Sequence, residues 1–243
     1  MNCKTVTGMA MAMVLTAGQA TAFGAVIHEH IGDENPVNEG FTMSSTGGVA
    51  AGEAVAVTVD GVDAWRIRKT STTAGTRTYN APLTEEQRSE AFAEGFIIRA
   101  NVRVHGNNNN LTGSPTVDFI ATTGQRYAIS FGNNTADNNK VIVSVNGTNY
   151  DTGLSDAVFA LYELKYNPVT EDANLYINGD LALSDLAPTT LMGFNRFHFG
   201  LNSSGAAGAG DFNLVQFEII PEPASIALLG LGSLLLMRRK RLA

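Results

Sequence analysis

Leu161-Tyr162-Glu163-Leu164-Lys165-Tyr166-Asn167-Pro168 and, a few residues on, Ala173-Asn174-Leu175-Tyr176-Ile177-Asn178-Gly179 decide the fold class. Two short runs rich in aliphatic and aromatic residues are separated by Asn-Pro and closed by Asn-Gly. That is the signature of a strand, a turn, a second strand and a two-residue hairpin turn, because Asn and Gly accept the positive φ that tight hairpins need. Asn146-Gly147 repeats the hairpin signal. Working outward, the period-2 or β-branched pattern predicts strands at 25–31, 54–59, 64–68, 96–104, 116–122, 126–131, 140–146, 158–166, 173–177, 196–201 and 212–220. Many short strands with turns between them indicate an all-β sandwich or barrel.

One segment departs from this pattern. Thr84-Glu85-Glu86-Gln87 is a capping box, which predicts a helix running to Glu94 and ending at Gly95. Glu85, Glu86, Glu90 and Glu94 read as first-turn dipole partners and a solvated face rather than as a catalytic set. The run Gly205-Ala206-Ala207-Gly208-Ala209-Gly210 is followed by a strand, not by the helix a phosphate loop requires, so it reads as an inter-strand loop.

The 243 residues hold 16 Lys and Arg, 23 Asp and Glu and one Cys. Cys3 lies in a segment with Lys4, a small apolar run at 6–17 and Ala20-Thr21-Ala22, the layout of a signal peptide over 1–22 with Ala20 and Ala22 as the small residues of the cleavage site. Cleavage there leaves no cysteine, and so neither a disulfide nor a thiol nucleophile. At the other end, Pro221-Glu222-Pro223 precedes an apolar stretch at 224–237 and then Arg238-Arg239-Lys240-Arg241. A fourteen-residue helix spans about 21 Å against a hydrocarbon core of about 30 Å, a short membrane segment whose basic tail stays cytoplasmic. Residues 23 to 237 carry 11 positive and 23 negative side chains, a net of −12. So acidic a body is no partner for nucleic acid and favours cations or neutral sugars.

Pro-Glu-Pro, the short apolar stretch and the basic cluster together resemble the PEP-CTERM sorting signal of Gram-negative bacteria that make exopolysaccharide. The resemblance implies that an exosortase-type protease in the inner membrane recognises 221–243, cuts near Pro221-Glu222-Pro223 and passes the body to the cell surface or matrix. The body, 23–220, resembles the laminin-G-like, concanavalin A-like jelly-roll sandwiches. Asp33-Glu34-Asn35-Pro36 with Glu39-Gly40-Phe41, the capped helix leading through Gly95 into 96–104, and the two-strand stretch quoted first carry that likeness.

Glycoside hydrolases of family 16 on this fold place two Glu on one strand face in a Glu-x-Asp-x-Glu or Glu-x-Asp-x-x-Glu pattern, the spacing a retaining pair of carboxylates needs. No such triplet occurs. Glu163 is the only acidic residue of its strand and reads as half-exposed and structural. His28 and His30 share a strand face with no third ligand placed by sequence, and read as exposed strand histidines. Asp33, Glu34 and Asn35, or Asp60 and Asp63, supply hard oxygen ligands that suit calcium. Trp65 alternates with Ile67 against Arg66 and Arg68, which places it in the core. Tyr79, Tyr127 and Tyr150 lie at or near loops and are the aromatic candidates for glycan contact.

The expectation is therefore an exported, non-enzymatic sandwich with a structural or adhesive role at the surface or in a biofilm matrix. A calcium-assisted, carbohydrate-binding module is the first alternative, and a glycan hydrolase or lyase with an unfamiliar site is the second.

Overall fold

The computed structural model describes residues 24–47, 54–69, 75–105, 115–121, 124–133, 139–191, 195–203 and 208–220. The signal-peptide segment with Ala20 and Ala22, and the sorting segment from Pro221 to the basic cluster Arg238, Arg239, Lys240 and Arg241, lie outside the described residues. Among the described residues no helix is long and apolar enough to cross a membrane.

The strands are β1 (Ala25–Ile31), β2 (Thr42–Gly47), β3 (Ala54–Val59), β4 (Val62–Lys69) and β5 (Gly75–Pro82), followed by α1 (Glu85–Glu94). Then come β6 (Phe96–His105), β7 (Pro115–Ile120), β8 (Gln125–Asn133), β9 (Lys140–Val145), β10 (Thr148–Ser155), β11 (Ala160–Asn167), β12 (Asp172–Ile177), β13 (Asp180–Leu186), β14 (Thr189–Thr190), β15 (Arg196–Ser203) and β16 (Gly208–Ile219). They form two antiparallel sheets. One runs β13-β12-β11-β6-β16-β4-β3, with β1 also paired to β16; the other runs β10-β9-β8-β7-β15-β5-β2, with β14 against β8. The two-sheet, all-β sandwich with one short helix among the described residues agrees with the strand pattern, and its jelly-roll character with the resemblance of the body to the concanavalin A-like sandwiches.

Alternation puts one face of each sheet inside. Phe96, Ile98, Tyr162, Leu164, Phe212 and Phe217 from the first sheet meet Val117, Phe119, Tyr127, Ile129, Phe197 and Phe199 from the second, all essentially without solvent contact. Phe96 is the hub: its ring centroid lies 4.9 to 5.7 Å from those of Tyr166, Phe119, Tyr127 and Phe217. Trp65 is in this core as expected, its indole Nε1 donating to the Tyr79 hydroxyl at 3.0 Å.

Local rules hold at the turns. Asn146 and Asn178 adopt φ of 51°, followed by Gly147 and Gly179 at 90° and 91°, and Asp60-Gly61 makes a third turn of the same kind between β3 and β4. Both asparagines do more than turn the chain. Asn146 Oδ1 accepts from Ala128 N, and Asn178 Oδ1 accepts from Leu161 N, each at 3.0 Å, so each turn is tied to the next strand of its sheet. The capping box is present in full: Gln87 N donates to Thr84 Oγ1 at 3.1 Å and Thr84 N donates to Gln87 Oε1 at 2.9 Å.

The structure adds β2, β5, β10, β13 and β14, which the pattern did not reveal. β10 and β13 are sheet-edge strands whose residues are mostly exposed or half-buried, so they lack a continuous apolar face. β5 is internal, yet its sequence Gly-Thr-Arg-Thr-Tyr-Asn-Ala-Pro carries one large apolar side chain. The glycine-rich run is also corrected. Gly208–Gly210 open β16, with Gly210 against the Pro115 ring, because a wider residue would not fit there.

The histidine expectation is overturned as well. His30 is wholly buried, its Nδ1 2.6 Å from Glu39 Oε2 and its ring stacked on Phe199 at 5.2 Å. His28 is half-buried and bonded to the Pro82 carbonyl, and burial lowers its pKa. A strand at the end of the chain is not thereby at the surface: β1 pairs with the central strand β16.

Candidate binding site

Among the described residues α1 is the one helix, and one flank of it carries a mixed row of side chains. Glu85, Arg88, Ser89 and Phe92 stand at i, i+3, i+4 and i+7, and all four line a solvent-open cavity of about 410 Å³. The helix itself buries Arg88 and Ala91, whereas Glu85 and Ser89 are exposed and Phe92 is half-buried. The opposing walls come from two turns: Ala121 and Gln125 where β7 passes to β8, and Tyr166, Pro168 and Glu171 where β11 passes to β12.

The aromatic floor is built by Phe92 and Tyr166, edge to face with centroids 5.4 Å apart. Burial, reinforced by the nearby carboxylates of Glu171 and Asp172, raises the Tyr166 pKa, so the phenol stays neutral at physiological pH. Arg88 is 9% exposed, and its Nη1 donates to the Leu83 carbonyl, which fixes the guanidinium at the cavity wall. Glu85 and Glu171 are exposed. At the helix end Gly95, φ 104°, donates to Ala91 O, and its carbonyl accepts from Ile220 N at 3.0 Å. The cavity therefore lies at the end of the sandwich from which the chain continues into the sorting segment.

A second polar group lies on the second sheet. Cross-strand register sets Asn80 of β5, His198 of β15 and Asp118 of β7 side by side. Arg126 Nε donates to Asp118 Oδ2 at 2.7 Å, whereas His198 Nε2 stands 3.6 Å from the same oxygen, too far for a hydrogen bond. Both His198 nitrogens, Asp118 Oδ1 and Asn80 Oδ1 are screened from solvent without a hydrogen-bond partner. Burial first, then the Arg196 and Arg126 charges, outweighs Asp118 and lowers the His198 pKa to about 4. The His–Asp pair is closed off from solvent and cannot reach a substrate as it stands.

On the outer face of the first sheet Glu163 accepts from Arg99 Nε at 2.9 Å and lies 3.3 Å from Lys165 Nζ, and Arg99 Nη1 also donates to Gln216 Oε1 at 2.6 Å. Glu163 is half-buried within this ion-pair network.

The calcium candidates converge partly. Gly32 N donates to Asn213 O at 2.7 Å and Asn213 Nδ2 donates to Asp63 O at 2.8 Å, so the turn bearing Asp33, Glu34 and Asn35 sits beside the turn bearing Asp60 and Asp63. Their oxygens are engaged locally, Glu34 with Asn38, Asn35 with Val37 N and Asp63 with Thr58. Among the described residues no three His, Cys, Asp or Glu side chains group closely enough to hold a metal ion. Of the tyrosine candidates, Tyr79 and Tyr127 are core residues, 2% and 0% exposed. Tyr150 lines a smaller recess of about 200 Å³ with Asn178 and Asp180. The cavity residues Arg88, Phe92, Gln125, Tyr166 and Glu171 went unnoticed in the sequence, where the mixed stripe of the helix was the one available signal.

Residues 220–241 match the PEP-CTERM protein-sorting motif. No curated protein matches the chain. Among solved structures the chain is similar to a carbohydrate esterase from the Shiga toxin-encoding bacteriophage phi24B, with 12% identity and a TM-score of 0.54, over 81% of this chain and 100% of that one. It is also similar to the binding domain of botulinum neurotoxin DC crystallised with rat synaptotagmin II, with 13% identity and a TM-score of 0.51, over 86% of this chain and 51% of that one. The same shares of both chains, at 12% identity and a TM-score of 0.51, relate it to botulinum neurotoxin type C, whose cell entry depends on two ganglioside molecules. The chain spans about half the length of these toxin chains. At such identities the likeness is one of fold, and the sorting motif marks the chain as exported and directed toward the surface.

Proposed function

We propose that the chain is the precursor of a non-enzymatic surface or matrix protein. An exosortase-type protease acts at Pro221-Glu222-Pro223 and delivers the sandwich, 23–220, to the cell surface or exopolysaccharide of a Gram-negative bacterium, where it has a structural or adhesive role. The sorting motif at 220–241 carries this reading. Two features of the fold support it. β16 ends at Ile219, and Ile220 makes the final backbone bond to Gly95, so a cut at the next residues removes no strand of the body. In the open cavity, Glu85 and Glu171 are exposed, whereas a general acid working at neutral pH is made by burying its carboxyl among apolar groups.

Replacing Pro221, Glu222 and Pro223 by alanine in the producing bacterium is expected to leave unprocessed precursor in the inner-membrane fraction and none at the surface. Normal cleavage and normal surface display of that variant would defeat the sorting assignment.

A further inference from the structure

We propose that the free edge of β3 pairs antiparallel with β3 of a second copy of the chain, joining the first sheets of two sandwiches into one continuous sheet. β3 ends the first sheet, and among the described residues its one strand neighbour is β4. Asp60 and Gly61, with φ of 52° and 79°, form a two-residue turn, which is closed by a hydrogen-bonded pair, Val59 and Val62. Such pairs alternate along an antiparallel ladder. Val55, Val57 and Val59 therefore bond toward β4, and the N–H and C=O groups of Ala54, Ala56 and Thr58 point away from the sheet. Val55, Ala56 and Thr58 are exposed, so the edge is open to another strand.

Edge strands are commonly blunted by charges, proline or bulges. The sequence Ala-Val-Ala-Val-Thr-Val of β3 has no charge and no proline, and its register with β4 is unbroken. The far edges of the two sheets differ. β13 carries Asp180 and Asp185 and its register shifts twice against β12, while β10 carries Asp151 and shifts against β9. Charge selects the partner: on a body of net −12 over 23 to 237, two copies approach most readily where carboxylates are absent. β2, the edge of the second sheet on the same side, reads Thr-Met-Ser-Ser-Thr-Gly, so both edge strands of this flank are uncharged. β3 is also self-complementary. Turned about a two-fold axis through Ala56, it sets Ala54 opposite Thr58 of the second copy and Ala56 opposite its own counterpart, which engages every outward group in about six backbone bonds. The interface is isologous and the far edges are guarded, so assembly closes at two copies instead of growing into a fibre. A strand pair is a small contact, which makes the dimer weak and reversible.

The test is sedimentation equilibrium of the full-length chain in density-matched detergent at about 1 to 200 µM, the range in which weak dimers exchange. The parent should pass from one to two copies per particle as concentration rises. Ala56→Lys and Ala56→Glu each set two like charges directly across the axis and should weaken association about tenfold. An equimolar mixture of the two variants should restore it, because opposite charges then face each other. A parent that stays monomeric throughout would leave the edge to a strand of another protein and overturn the proposal. So would dimers of undiminished strength in both variants, a mixture that fails to recombine, or growth beyond two copies. None of these outcomes touches the sorting assignment, which is read from processing and surface display.

Discussion

Gly200→Ala is expected to destabilise the sandwich by roughly 3 to 5 kcal/mol, combining backbone strain with an overpacked contact. Gly200 lies in β15, hydrogen-bonded between β5 and β7 with Thr78 and Thr116 as its cross-strand neighbours. Its φ is 138°, which an L side chain rarely adopts, and a Cβ there would overlap the Arg77 carbonyl oxygen and stand 2.9 Å from Thr78 Cα. The obstacle is backbone in a neighbouring strand, so no side-chain rotation relieves it. Calorimetry should show a melting temperature lower by about 10 °C, at 2–4 °C per kcal/mol for a domain of this size. Gly61→Ala is the control. Its φ of 79° is also positive, but no atom lies within 4 Å of the new Cβ, so only the conformational cost of about 1 kcal/mol remains. Equal stability of the Gly200→Ala protein and the parent would contradict the close approach of β15 to β5.

Stability should also fall on mild acidification, through His198. Its pKa is about 4 in the folded chain and 6.5 when unfolded, so as pH falls the unfolded chain takes up the proton first. The contribution of this group is complete above about pH 6.5. It declines by about 1.4 kcal/mol per pH unit between the two values, to a total loss of about 3 kcal/mol near pH 4. The main cause is burial of the ring; the opposing pull comes from Asp118, which is already committed to Arg126, and the imidazolium would sit beside Arg196 and Arg126. Denaturant melts from pH 7.5 to 4 should therefore show a steeper decline in the parent than in His198→Gln, where this component is missing. Parallel curves would mean that the ring reaches solvent and titrates normally.

Both effects arise where strands distant in sequence come into register, and the same distinction runs through the whole molecule. The Asn146-Gly147 and Asn178-Gly179 hairpins, the Thr84 to Gln87 capping box, the helix end at Gly95 and the sorting motif were legible because each is decided within a few residues: positive φ at a turn, reciprocal bonds at a helix start, an ordered string at 220–241. The inward place of Trp65 followed from period-2 alternation with Ile67. Edge strands such as β10 and β13 escaped notice because alternation is written only where one face is buried.

Burial of individual side chains was less accessible to the sequence, because it depends on which element covers them. Tyr79 and Tyr127 border loops in the chain but face the opposite sheet in space, and His30 is enclosed by Phe199 and Glu39. The cavity is the extreme case, since its walls come from α1, the segment after β7 and the segment after β11, brought together only when the sheets stack. For this protein the sequence alone determined the all-β class, the turns and where the chain is sent. The tertiary structure alone decided which polar groups are enclosed and which line an open site, because those depend on strand register and sheet packing over long sequence separations.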